Sequence, residues 1–222
     1  MPRNAYQKRL DALRGDVGAM ADLTLDRYEG AVSVLSSGDP DDARAIIEGD
    51  DEINEWYLDL ENDCIELLAL QQPVASDLRF VASSFKIATD LERVGDLATN
   101  LARYGRDTEG ELFAAVDATS IATEAGEMVA DAMDAYARND AQAARAVAAR
   151  DDDLDEQCRQ ASDTVVRRLM VMSDQNGDLD ATLQNVTRAL LTIRDLERVG
   201  DHAVNIAART LYMVEHDDEL IY

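Results

Sequence analysis

A seven-residue sequence that occurs twice is the feature that most constrains how this chain can fold. Asp-Leu-Glu-Arg-Val-Gly-Asp spans Asp90–Asp96 and returns unchanged at Asp195–Asp201. The acidic block Asp50–Ile53 likewise has a counterpart at Asp151–Leu154. Repeats at matching places in the two halves indicate a tandem duplication, in which one supersecondary unit is present twice.

Apolar residues recur at helical spacing throughout, as in Leu91, Val94, Ala98 and Leu101, and no stretch alternates like a β-strand. Helix-breaking clusters separate six long segments, at residues 36–40, 71–73, 104–108, 138–140 and 173–178. Short breaks between long helices favour antiparallel neighbours. The sequence therefore predicts an all-α fold of two tandem antiparallel three-helix bundles, with domains at residues 1–106 and 107–222.

The charge of the chain excludes several classes of partner. The net charge is −25, although 46% of the residues are hydrophobic and can form a core. Nucleic acids and anionic membranes are disfavoured, because both are bound through Lys and Arg. No apolar run is long enough to cross a membrane, which predicts a soluble cytoplasmic protein. A dense anionic surface also suggests a halophilic host with high intracellular salt, where screening makes such a charge tolerable.

Two polar pairs in the first half point to a cation site. Glu92 and Asp96 are four residues apart and share one helix face, as do Asp50 and Asn54. If the two helices fold back at Pro73, both pairs lie at the same height on neighbouring helices. Four oxygen-bearing side chains would then converge, although Asn54 is a weaker ligand than a carboxylate.

The second half repeats this arrangement with four carboxylates. Asp151 and Asp155 form one pair, Glu197 and Asp201 the other, and the predicted fold-back lies in the 174–178 loop. Converged carboxylates bind hard or borderline cations such as Mg²⁺, Ca²⁺, Mn²⁺ and iron, or zinc with water completing the shell. A solvated charged face is the simpler alternative for any single pair of this kind.

These residues carry a resemblance to a known family. The blocks at Asp50–Asn54, Gln71–Arg79, Asp90–Asp96 and Asp195–Asp201 resemble those of PhoU proteins, over essentially the full chain. The resemblance implies multinuclear metal clusters, with iron or zinc as the usual occupants and manganese or magnesium also possible. It places the ligands at Asp50, Asn54, Glu92, Asp96, Asp151, Asp155, Glu197 and Asp201.

The resemblance also implies a role in signalling and not in catalysis. PhoU-like proteins restrain phosphate uptake through the phosphate ABC transporter, by contact with its cytoplasmic ATPase. In many bacteria they also relay to a sensor histidine kinase. Long exposed helix faces favour a homodimer, and open metal positions would accept phosphate oxygens.

Two other functions remain open from the residues alone. A carboxylate-bridged di-metal enzyme would carry Glu-x-x-His motifs, but Val199 and Met213 stand three residues before His202 and His216. A metal-free helical adaptor is the other alternative. His202 is expected to be exposed or salt-bridged, and the two cysteines, Cys64 and Cys158, to be small buried hydrophobes.

Overall fold

A computed structural model describes residues 3–70, 74–107, 116–172 and 179–221. Within these ranges the secondary structure is helical, with no β-strand. The helices are α1 (Arg3–Ser37), α2 (Pro40–Glu48), α3 (Asp50–Leu70), α4 (Ala75–Arg106), α5 (Ala118–Arg138), α6 (Ala141–Ala148), α7 (Asp151–Met172) and α8 (Leu179–Glu215). The order α1–α4 repeats as α5–α8, which confirms the predicted tandem all-α duplication.

Each unit has the three long helices that the sequence predicts, and one short helix that the periodicity did not separate. The predicted second segment of each unit bends at Gly49 or at Ala149, so that α2 precedes α3 and α6 precedes α7. At Gly49, the C-cap of α2, the Arg27 guanidinium occupies the space where a Cβ would lie, so the bend has no room for a side chain unless Arg27 moves. The short helices bury apolar residues of their own, such as Ile46 and Val147. The helical spacing of apolar residues therefore continues through each bend and does not mark it.

Capping residues fix two of the predicted breaks. Asp39 precedes α2 and its Oδ1 accepts hydrogen bonds from the Asp41 and Asp42 amides at 2.9 and 3.2 Å, with Pro40 in the first turn. Between α5 and α6, Asn139 has a left-handed backbone with φ of 52°. The predicted fold-back positions at 71–73 and 173–178 lie outside the described residues, as does the stretch at 108–115 beside the domain boundary.

The long C-terminal helices of the two units, α4 and α8, lie at the centre of the molecule. α4 packs most extensively on α1, α8 on α5, and the two central helices also pack against each other. Leu91, Val94 and Leu196 are fully buried in the resulting core. Cys64 and Cys158 are buried as expected, and burial raises the pKa of each thiol to about 12. None of the described helices is long and apolar enough to span a membrane.

Candidate metal centre

The first acidic cluster forms where the start of α3 lies against the middle of α4. The Thr99 hydroxyl on α4 donates to Asp50 Oδ1 at 3.1 Å, which fixes the antiparallel register of the two helices. Gly95 makes the close approach possible, because a Cβ there would lie 2.8 Å from Ile53 Cδ1. The glycine inside the repeated block therefore sets the spacing between the helices that carry the acidic side chains.

The charges of the three carboxylates of this first cluster act on one another. Burial raises the pKa of Glu92, and the charges of Asp96 and Asp50 raise it further. Burial and then Asp50 likewise raise the pKa of Asp96, while Arg103 and Arg198 lower it. Like charges held together in this way favour a bound cation, which would remove their repulsion. Asn54 is half-buried, one turn along α3 from Asp50.

The second acidic cluster brings four carboxylates together between α7 and α8. The pKa of Asp151 is raised to about 6, first by burial and then by Asp155 and Asp201, with smaller contributions from Asp152 and Glu197. Burial and the Asp155 charge also raise the pKa of both Glu197 and Asp201. The charges of these four carboxylates therefore act on one another, while the assignment of the residues as metal ligands stays a prediction.

The two clusters differ at one hydrogen bond. Asp50 accepts from Thr99, whereas the residue equivalent to Thr99 in the second unit is Val204, which has no donor. The Oδ1 atom of Asp151 is accordingly buried without any hydrogen-bond partner among the described residues. A buried, unsatisfied carboxylate oxygen beside three like charges is a destabilising arrangement that a cation would relieve.

The chemistry of the donor set fits a metal, but the side chains are not closed around one. Among the residues that the structure describes, no group of three or more His, Cys, Asp or Glu is arranged as a preformed site. Asp155, Glu197 and Asp201 are exposed and can change rotamer. The metal-ligand assignments made from the sequence therefore stay predictions, supported by the charge clustering and the unpaired Asp151 oxygen.

The first aspartate of each repeated block has a role that sequence reasoning missed. Asp90 on α4 reaches into the second unit, where His202 Nδ1 lies 2.9 Å from Asp90 Oδ1 and Asn205 Nδ2 donates to the same oxygen at 3.4 Å. Asp195 on α8 is fully buried and accepts from the Tyr104 hydroxyl of the first unit at 3.2 Å. His202 is therefore buried and hydrogen-bonded to Asp90, so the expectation that it could be exposed is wrong, and both aspartates join the units.

The glycine of the second block gives a test of how tightly the cluster helices must pack. A Cβ at Gly200 would overlap Leu154 Cδ2, and Leu154 is fully buried. We expect Gly200→Ala to lower the free energy of unfolding by about 1 kcal/mol, because overpacking outweighs the gain in helix propensity. Gly15→Ala is the matched control, since nothing lies within 4 Å of a Cβ there. Gly15→Ala should be more stable than wild type by up to about 1 kcal/mol in urea denaturation. Equal changes in the free energy of unfolding for Gly200→Ala and Gly15→Ala would contradict the role of Gly200 in helix packing.

The unpaired Asp151 carboxylate predicts an unusual pH dependence for the metal-free protein. Its pKa is about 6 in the folded state against 3.8 as the ordinary value. Protonation therefore stabilises the folded state, and this stability is lost as the pH rises through about 6. Asp151→Asn should raise the free energy of unfolding near pH 7 by about 1 kcal/mol, after allowance for solvent screening of a half-exposed group.

The same Asp151→Asn variant should also lose the extra stability that chelated wild type shows near pH 5. Asp153→Asn on the same helix is the matched control, because Asp153 is exposed and is not among the charges that act on Asp151. Identical pH profiles for wild type and Asp151→Asn, measured by thermal unfolding with chelator present, would contradict this account.

The architecture and the paired acidic clusters define a class of proteins built from a duplicated helical unit. The family model described as PhoU domain matches the chain twice, over residues 17–105 and 118–210. The chain belongs to the PhoU family.

Individual relatives match over most of their length. The chain is 34% identical to the phosphate-specific transport system accessory protein PhoU homolog of Pseudomonas putida, over 96% of this chain and 82% of that protein. It is similar to the crystal structure of PhoU from Pseudomonas aeruginosa, with a TM-score of 0.85 and 32% identity, covering 96% of this chain and all of that one. The phosphate transport system regulatory protein PhoU from Streptococcus pneumoniae gives a TM-score of 0.83 at 28% identity, covering 96% and 98%.

Proposed function

We propose that this chain is a non-catalytic regulator of phosphate homeostasis that restrains uptake through the phosphate ABC transporter. The observation that carries the proposal is the similarity over 96% of the chain to proteins named as accessory and regulatory proteins of phosphate transport. Both repeated units take part in that similarity, so the whole chain and not one unit would be the regulator.

We further propose that the two acidic clusters hold metal ions. The first cluster would use Asp50, Asn54, Glu92 and Asp96, and the second its four carboxylates. An all-oxygen donor set favours iron, manganese or magnesium over zinc, which is more often held by His and Cys. The metal would remove the repulsion within each cluster and fix α3 on α4 and α7 on α8. It would thereby set the shape of the surface that a partner contacts.

The proposed partner is the cytoplasmic ATPase of the transporter, with a sensor histidine kinase as a second partner where the host has one. The chain itself would act in the cytoplasm, as a homodimer formed through its exposed helix faces. Since no described helix can cross a membrane, the chain would reach the transporter through the ATPase and not through the bilayer.

The test is complementation of a host strain that lacks this protein, with uptake of radiolabelled phosphate as the measurement. Wild type should restore low uptake in phosphate-rich medium, and the purified protein should capture the transporter ATPase. Unrestrained uptake after complementation, together with no capture of the ATPase, would overturn the proposed function. Restored regulation by a variant that binds no metal would separate the two proposals, because the regulatory role would stand and the metal role would fall.

A metal-free helical adaptor is the second candidate. The observation in its favour is that the acidic side chains of the described residues are not preformed around an ion. Metal analysis distinguishes it from the first candidate, and the regulatory partner would be the same in both cases.

A further inference from the structure

A cavity between the two units lies away from both acidic clusters. It has a volume of about 330 Å³ and opens between α3, α4 and the C-terminal part of α8. Its apolar wall is formed by Ile65, Leu68, Val81, Phe85 and Tyr212. Ile65 is 57% exposed and Leu68 is 39% exposed, so the rim of the cavity presents uncovered aliphatic surface. A cavity of this size and character is within the range of small-molecule sites, roughly 300–1,000 Å³.

Two cations line the same cavity. Lys86 and Arg209 come from different units, and neither has an ion-pair partner among the described residues. Lys86 is one of two lysines in a chain where 46 acidic residues oppose 21 basic ones. Glu61 is the only acidic residue among the described residues of the lining. The described lining thus carries one excess positive charge, two cations against Glu61, on a protein of net charge −25.

The floor of the cavity adds one unsatisfied polar group. The Ser83 hydroxyl is buried and has no hydrogen-bond partner among the described residues, while the neighbouring Cys64 thiol donates to the Val81 carbonyl. The Ser83 oxygen has almost no exposed surface, so it is not available to a ligand in the cavity, and affinity would come from the apolar wall and the two cations.

We propose that this cavity binds a small amphipathic anion, with an aliphatic or aromatic body in the apolar wall and an anionic end group, such as a carboxylate, beside Lys86 and Arg209. The body contributes affinity by burying apolar surface, and the cations select for a negative end group. Because the cavity wall comes from both units, the ligand would hold α8 against α3 and α4. Binding would therefore stabilise the folded chain, by an amount that grows with the logarithm of ligand concentration once the site is saturated. The proposal is independent of the role in phosphate regulation.

The test uses decanoate as the probe and the full chain as the protein. Decanoate should displace the fluorescent anion anilinonaphthalene sulfonate and raise the melting temperature, whereas decanol, with the same chain length and no charge, should bind about tenfold more weakly. No displacement by decanoate at millimolar concentration, or equal binding of decanoate and decanol, would overturn the proposal.

Variants locate the binding in this cavity. The double variant Lys86→Gln and Arg209→Gln should lose the preference for decanoate over decanol, while Lys8→Gln, which changes the other lysine outside the cavity, should keep it. Ile65→Glu should weaken decanoate about tenfold or more, and the matched Leu58→Glu should not, since Leu58 is equally exposed on the same helix but does not line the cavity. Retained preference in the double variant would place the bound anion elsewhere and overturn the proposal. Circular dichroism of each variant checks that it is folded.

Discussion

Replacing Asp155 and Asp201 by asparagine should remove the metal that we propose for the second cluster, so that protein purified without chelator loses about half of its bound metal. Each substitution removes a charged ligand but keeps the size of the side chain, and uncharged amides bind such cations far more weakly. Substituting Glu92 by Gln and Asp96 by Asn should remove the metal of the first cluster. All four changes together should leave a metal-free chain, measured by elemental analysis.

The matched control for metal content is a double change on α7 outside the cluster, Asp153→Asn with Asp163→Asn. It removes the same number of carboxylates and should leave the metal content unchanged. Conversely, Asn54→Asp should raise the metal content or affinity of the first cluster, because it supplies the carboxylate that the second unit has at Asp155. Metal lost equally from cluster and control variants would show that the ions bind the acidic surface without a defined site. Absence of metal from wild type would favour the adaptor.

Salt should have the second large effect, on stability. The chain has 46 acidic residues against 21 basic ones, so pairing each cation with one carboxylate would leave 25 carboxylates unpaired. Some arginines are shared, as Arg150 is by Glu124, Glu127 and Asp131, which all lie within 4 Å of it. Because self-repulsion is screened as the Debye length falls from about 10 Å at 0.1 M to 3 Å at 1 M salt, KCl should stabilise the fold strongly. We expect a rise in melting temperature of roughly 10 °C or more, and unfolding in dilute buffer that added salt reverses.

Magnesium distinguishes general screening from the acidic clusters. Millimolar MgCl₂ should stabilise wild type in dilute buffer, because the ion binds where like charges are closest. The four-fold cluster variant should lose most of this response to MgCl₂ and keep its response to KCl. Equal stability of wild type in low and high KCl would contradict the role of self-repulsion and, with it, the inference of a salt-adapted host.

The fold could be predicted from the sequence because its main signals are local or repeated. Helical spacing and breakers such as Asp39 and Asn139 define helices within one segment, and the two identical blocks give the duplication. The bends at Gly49 and Ala149 could not be predicted in the same way. The apolar period runs on across each bend, and the close approach of Arg27 to Gly49 comes from a distant part of the chain that local spacing does not reveal.

The sequence predicted which acidic residues face one another across each helix pair, but not the hydrogen bonds and burial around them. Folding the chain back at Pro73 places Asp50 at the height of Glu92 and Asp96 on the neighbouring helix. The hydrogen bond from Thr99 to Asp50 agrees with this alignment of the two helices. The unpaired oxygen of Asp151 depends on Val204 across the helix pair, which no motif marks. The role of Asp90 was also missed, because its partners lie in the other unit and pairing between units has no signal in local spacing.

The contacts between the two units have approximate two-fold symmetry. Equivalent helices meet each other, α1 with α5 and α4 with α8, and the equivalent residues Asp90 and Asp195 each cross to the opposite unit. Matching surfaces in mutual contact are the mark of a two-fold symmetric homodimer. The two units of one chain therefore meet as the subunits of such a dimer would. The symmetry is broken at the partners of the aspartates, which are His202 and Tyr104 where the other unit has Leu97 and Arg209.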